Sequence, residues 1–271
     1  MFFIKKLFDF YINSSIHVAL AVYALVRITE RYFNLSYNEP LDYFIFYGTI
    51  TGYNFVKYAG VAKLHHRSLT NNLKLIQVFS FVCFGLTLFY AIQLQLKTLL
   101  FFLPFGVLTL LYAVPVFRKN LRNISTLKIL IIALVWAGVT VLLPLLDTMV
   151  FTFSKNQILI FVQRFLFVIA LTIPFDIRDL QFDDQKLQTI PQKIGVEKTK
   201  KLGFILLAFC LLIEFFITPN STFRMVFLVV FFILLFLLMR AKTNQSKYYS
   251  SFFVEALPIV WWLFLLGFHN F

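Results

Sequence analysis

"DIRDLQFDDQKLQTIPQKIG", Asp176–Gly195, gathers four of the chain's 12 acidic residues, Asp176, Asp179, Asp183 and Asp184, directly after the apolar run 156–175. Asp176, Asp179 and Asp183 are spaced by three and four. A helix continuing out of the apolar run would carry all three on one face. Like charges at that spacing repel unless a cation sits between them. Carboxylates that leave room for water and phosphate oxygens are the ligands Mg²⁺ prefers. Two readings follow: a Mg²⁺ site that clamps a diphosphate where lipid meets water, or a solvated loop with ordinary surface acids, since an isolated D-x-x-x-D spacing is common by chance.

The rest of the chain sets the class. Of its 271 residues 60% are hydrophobic, 19% aromatic and only 14% charged, too apolar for a soluble domain of this length. Runs at 14–33, 40–62, 73–93, 98–117, 127–148, 156–175, 201–218, 222–240 and 252–269 each approach the roughly 20 apolar residues of a membrane span. They predict an all-α polytopic membrane bundle of about nine transmembrane helices, one domain over residues 1–271 with no linker. Ahead of the first run, residues 2–12 predict a short interfacial amphipathic helix. Asp9 and Asn13 interrupt the apolar stretch, which favours a retained first helix over a cleaved signal.

The net charge of +13 has a directional explanation. With the N-terminus in the cytoplasm and alternating spans, the inner segments hold 18 of the 25 Lys and Arg, from Lys5 and Lys6 through Lys200 and Lys201 to Lys247. The outer segments hold Arg31, Lys97, Lys155 and Arg224, while Arg27, Lys57 and Arg164 fall within spans. That bias is the positive-inside rule, and with attraction to anionic lipid it accounts for the charge without nucleic acid. The polar stretches 63–72, 118–126, 176–200 and 241–251 all fall on the inner side, where any chemistry is expected. Cys83 and Cys210 lie within runs and form neither a disulfide framework nor a zinc spacing. Glu214 and Arg164, inside spans, invite pairing or mark a cavity. Glu255, near the inner end of the last run, reads as interfacial.

The opening phrase as a whole resembles the second aspartate-rich motif of the UbiA superfamily of intramembrane prenyltransferases. The matching residues are Asp176, Asp179 and Asp183, then Thr189, Ile190 and Pro191, then Gly195. "YAVPVFRK", residues 112–119, is similar to that family's Tyr-x-x-Pro-x-x-Arg segment through Tyr112, Pro115 and Arg118, and Lys128 stands in a family-like place. The resemblance implies a polyprenyl diphosphate bound through Mg²⁺ and ionised to an allylic cation that alkylates an aromatic or lipid acceptor. It implies Asp176, Asp179 and Asp183 as metal ligands, with Tyr112, Arg118, Lys119 and Lys128 at the substrate. Metal and basic groups would neutralise the charge growing on the leaving diphosphate. Aromatic rings suit a carbocation, and a dry interior protects it from water.

One departure stands against this. The family's first motif reads about N-D-x-x-D-x-x-x-D, and its counterpart here is "NFVKYAGVA", residues 54–62. Asn54 remains, but Phe55, Tyr58 and Ala62 stand where acids are expected. Lys57, three residues after Asn54, shares its helical face. It either supplies a fixed cation where a second Mg²⁺ would sit, with Asn54 and Tyr58 beside the substrate, or snorkels to the headgroups. The expected function is therefore prenyl transfer with an altered cradle. The alternatives are a catalytically inactive relative that binds isoprenoid or lipid, and a transporter using Glu214 and Arg164. The position of Lys57 and Tyr58 relative to Asp179 and Asp183 separates the first two.

Overall fold

The structure, a computed structural model, describes residues 2–58, 71–114, 127–148, 154–182, 187–217 and 220–268. Among them the chain is helical with short connections. α1 (Phe2–Asn13) precedes α2 (Ile16–Phe33), α3 (Glu39–Tyr58), α4 (Asn71–Ala91) and α5 (Leu96–Ala113). α6 (Leu127–Ala137) passes through a π-helical turn, Gly138–Leu142, into α7 (Leu143–Asp147). Then come α8 (Lys155–Asp179), the short α9 (Ile190–Ile194), α10 (Val196–Ile217) and α11 (Ser221–Arg240). A second π-helical turn, Tyr249–Val254, leads to α12 (Leu257–Gly267).

This is a multi-pass membrane protein, but the expected count of nine spans is not reached by length and apolarity. Among the described residues six helical runs are long and apolar enough to cross a membrane, or seven if the bent α1–α2 pair counts as one. α3 and α10 are the two that fall short. α3 is diluted by Tyr, Thr, Gly and Asn, and α10 carries Lys198, Lys200, Lys201 and Glu214. The predicted interfacial helix 2–12 is α1, which meets α2 at an angle of 57°.

Burial sorts the helices. The α6–α7 run is 72% buried, whereas α4 and α5 are 11% buried and turn Phe81, Leu88 and Leu103 outward, as lipid-facing helices do. A continuous apolar core joins α2, α3, α6, α8, α10, α11 and α12, with Trp261 enclosed between Phe167 and Phe227. Two glycines permit close approach. A Cβ on Gly138 would lie 2.1 Å from the Phe105 ring, and one on Gly203 would lie 2.6 Å from Leu238 and 3.0 Å from Ile173.

Polar bonds tie each end of the bundle. At one end Asp147 accepts from Asn38 (2.5 Å) and Thr98 (2.7 Å), joining the starts of α3 and α5 to the end of α7. At the other, Gln181 donates to the Thr243 carbonyl (3.2 Å) and Gln245 to the Pro174 carbonyl (3.3 Å), fastening segment 241–248 to the end of α8. Lys247 and Tyr248 both bond Asp9, which brings α1 to that same end.

Arg164 and Glu214 make no direct ion pair with each other, whereas Arg27 pairs with Glu30 and Asp42. Glu214 accepts from Tyr32 (2.6 Å) and Gln163 (2.7 Å). Arg164 donates to the Leu25 carbonyl (2.9 Å) and Thr140 (3.4 Å), and its guanidinium lies over Trp261. These bonds join α2, the π-helical turn, α8 and α10, the packing role such groups often serve in a bundle.

Candidate functional site

α8 delivers the acidic stretch. Its N-terminus is fixed by Ser154, which forms a capping box with Gln157. Its apolar interior is buried, and at its far end Asp176 is turned inward, 3% exposed. Lys128, at the start of α6, donates to Asp176 over 3.1 Å. One turn on, half-buried Asp179 accepts from Arg178 Nε at 2.7 Å. α8 then ends. The Phe182 amide closes on the Asp179 carbonyl (2.9 Å), so the continuous helix expected to carry the third acid stops at Asp179. Asp183 lies outside the described residues, as do Arg118 and Lys119.

The rest of the acidic phrase is a turning device. Pro191 sits in the first turn of α9, where its missing N–H loses no helical bond, and the Gln192 side chain accepts from the Thr189 amide at 2.9 Å. Gly195 ends α9 at φ 80°, a backbone conformation open to glycine, and its amide bonds the Pro191 carbonyl (3.0 Å). The Thr-Ile-Pro and the Gly thus reverse the chain into α10.

α3 brings the counterpart of the lost motif to the same end. Buried Asn54 donates to the Ser14 carbonyl (2.9 Å) and to Ser80 (2.8 Å), and accepts from Ser15 (2.8 Å). Lys57 donates to Ser15 Oγ at 2.9 Å, and Tyr58 donates to the Asn13 carbonyl at 3.0 Å. All three therefore grip the bend between α1 and α2, where Ser15 holds φ 64°. Lys57 is exposed along its length, and its Nζ is turned to the Ser15 hydroxyl. It lies within electrostatic range of Glu255 and Arg178, the residue before Asp179. Lys57 thus shares a region with the end of α8, whereas the Tyr58 hydroxyl is engaged at the bend. Tyr112 is buried near the end of α5, close to Tyr53, whose hydroxyl accepts from Trp136 at 2.7 Å.

Glu255 was missed as a member of this group. It lies within electrostatic range of Lys57 and Arg178 together. Its distance in sequence from both hides the relation. The only sign is an acid placed in an otherwise apolar run, a pattern that favours an interior position.

The described residues do not fit a metal on the α3 side, where a lysine, a tyrosine and an amide replace carboxylates. Nor do three or more His, Cys, Asp or Glu side chains gather into a metal-binding group among them. On the α8 side Asp179, with Asp183 beyond the described residues, is the carboxylate set left for one hard cation. What the described geometry offers directly is a group of cations at one end, Lys128 paired with Asp176, Arg178 paired with Asp179, and Lys57 within electrostatic range of Arg178. Such a cluster suits a polyvalent anion.

Solved structures share this architecture. A UbiA homologue from Archaeoglobus fulgidus bound to DMAPP and Mg²⁺ matches with a TM-score of 0.62 at 13% identity, covering 96% of this chain and 98% of that one. The apo structure of a UbiA homologue from Aeropyrum pernix K1 matches with a TM-score of 0.63 at 12% identity, over 94% and 98%. Digeranylgeranylglyceryl phosphate synthase matches with a TM-score of 0.57 at 14% identity, over 97% of each chain. No protein-family model and no curated protein matches the sequence. At these identities the likeness is one of fold, and the chain has the UbiA fold from end to end.

Proposed function

We propose that this protein is an integral membrane prenyltransferase that takes a polyprenyl diphosphate as donor, alkylates an aromatic or lipid acceptor, and works as a single unit over residues 1–271. The observation that carries the reading is that the end of α8 holds Asp176 and Asp179 against the basic groups Lys128 and Arg178, with Lys57 of α3 within electrostatic range of Arg178. The UbiA fold and the Asp176–Gly195 phrase support it. In this reading Asp179 and Asp183 hold one Mg²⁺, with Asp176 assisting, and the ion would offset charge on the diphosphate. Lys57 supplies the positive charge on the α3 side that a second ion would otherwise give. Lys128 keeps Asp176 in place and, with Arg118 and Lys119, turns basic groups to the diphosphate; Asn54, Tyr58 and Tyr112 line the approach. Apolar helices exclude water from the developing cation. The excess of Lys and Arg at this end supports a cytoplasmic N-terminus and a cytoplasmic acidic loop.

The test is release of inorganic pyrophosphate from geranylgeranyl diphosphate by protein reconstituted with a membrane lipid extract as acceptor source. Release should require Mg²⁺ and fall by at least about a hundredfold in Asp179→Asn, as loss of a transition-state charge contact does. No release from any prenyl diphosphate would end the catalytic reading. One observation favours a second reading, an inactive isoprenoid-binding relative: Asn54 and Tyr58 already bond the α1–α2 bend.

A further inference from the structure

The opposite end of the bundle has no part in the proposed reaction, yet it holds a polar cleft. Between the end of α2 and the start of α11 lies a space of about 210 Å³, lined by Arg27, Glu30, Arg31, Asn34, Leu35 and Phe223. α11 runs from there to Arg240, beside the segment fastened to the end of α8, so the cleft and the acidic loop stand at opposite ends of a membrane-crossing helix. The way α2 stops shapes the cleft. Asn34 takes φ 50°, and the Leu35 amide returns to the Glu30 carbonyl (2.8 Å), which leaves Asn34 exposed and Arg31 half-exposed. Tyr32 packs edge-on to Phe223, with ring centroids 4.6 Å apart, and steadies the apolar side.

The charges of the cleft are divided. Arg27 donates to Glu30 and to Asp42 (3.2 Å) and lies over the Tyr37 ring. One guanidinium thus serves two buried carboxylates, and Asp42 Oδ1 is buried with no hydrogen-bond partner among the described residues. That side carries an excess of negative charge. Two carboxylates that already share a guanidinium leave few ligands for a metal ion, and no metal-binding group forms among the described residues. An ammonium, with its own N–H donors, suits them better. Arg31 is the reverse case: among the described residues its side chain makes no hydrogen bond and no ion pair. A guanidinium fork without a carboxylate is a natural partner for phosphate.

We propose that this cleft binds the phosphoethanolamine headgroup of a membrane lipid, with the phosphate on Arg31 and the ammonium toward Glu30. Its volume is below the roughly 300–1,000 Å³ of sites that enclose a drug-sized ligand, so it takes a headgroup and not a whole lipid. The start of a membrane-crossing helix is the level at which headgroups lie. Leu35 and Phe223 give the glycerol and the first acyl carbons an apolar side to rest on. A choline headgroup offers no N–H to Glu30, and a glycerol headgroup offers no cation, so both bind less well.

The experiment is calorimetric titration of the full-length protein, purified in a phosphate-free detergent, with dihexanoyl phosphatidylethanolamine, phosphatidylcholine and phosphatidylglycerol, and with glycerophosphoethanolamine, which lacks acyl chains. The wild type should bind the ethanolamine lipid about tenfold tighter than the other two lipids, a difference of one decade in Kd. Arg31→Met should weaken that binding by about tenfold, and Arg31→Lys, which keeps the charge but not the fork, by less. Asp179→Asn, at the other end, should leave it unchanged. Equal binding of the three lipids, no loss in Arg31→Met, or no binding at all would overturn the proposal. Equal affinity for glycerophosphoethanolamine would also overturn the lipid as occupant and assign the cleft to a soluble phosphoethanolamine. Arg31 has no partner to lose among the described residues, so both of its variants should fold, and an unshifted melting temperature checks that they do.

Discussion

At Asn54 one side chain makes three hydrogen bonds across three chain segments, to Ser14, Ser15 and Ser80. Buried polar groups that lose such partners cost about 1–3 kcal/mol each. Asn54→Leu should therefore lower the stability of the detergent-purified protein by about that amount, read as a lower melting temperature. The same melt should move little for Asp179→Asn, whose carboxylate has one side-chain partner and sits half-buried. That contrast separates a residue that holds the scaffold from one poised for a ligand. Sequence alone singled out Asn54, Lys57, Asp176 and Asp179 by type and spacing, but not their partners. Lys128 and Asp176 are 48 residues apart, and Lys57 meets Ser15 across 42. Such pairings depend on which helices are neighbours, a property no local pattern carries.

At the scale of elements, the two π-helical turns and the α1–α2 bend were not legible. Each depends on tertiary contacts. Gly138 begins the first π turn where the Phe105 ring occupies the space of a Cβ. Gly138→Ala should overpack that crossing and cost about 1–3 kcal/mol, with the melting temperature lowered and Phe105→Leu in the same chain restoring part of the loss. Full stability of Gly138→Ala alone would mean the ring moves freely and the close approach constrains nothing. By contrast α8 through α10 was readable in outline. The apolar run gave the helix, Pro191 and Gly195 gave the reversal, and only the end of α8 at Asp179 departed from expectation.

For the whole molecule the fold class was legible because nine apolar runs have the length of helices that must satisfy their backbone internally. The number of spans was less so, because α3 and α10 carry the polar and charged groups of the interior and lose the apolar signature. A labelling experiment decides whether they cross. Single cysteines at Ser36 and Gln93 should react with an impermeant thiol reagent in intact cells, and those at Gln181 and Asn244 should not. The native Cys83 and Cys210 are buried and give little background. Protection at Gln93 with labelling at Gln181 would show that α3 does not cross. The acceptor was not legible at all, since it depends on cavity shape.

The central claim is that this end of the bundle grips the diphosphate of a prenyl donor and not merely its tail. Equilibrium binding of labelled geranylgeranyl diphosphate to the purified protein, with Mg²⁺ and with inorganic pyrophosphate as competitor, addresses it most directly. The account predicts saturable binding that pyrophosphate displaces and that Lys57→Met and Asp179→Asn each weaken by about tenfold, equivalent to about 1.4 kcal/mol. Saturable binding that pyrophosphate leaves untouched, equal in both variants and matched by geranylgeraniol, would contradict it and describe a pocket for the lipid tail alone.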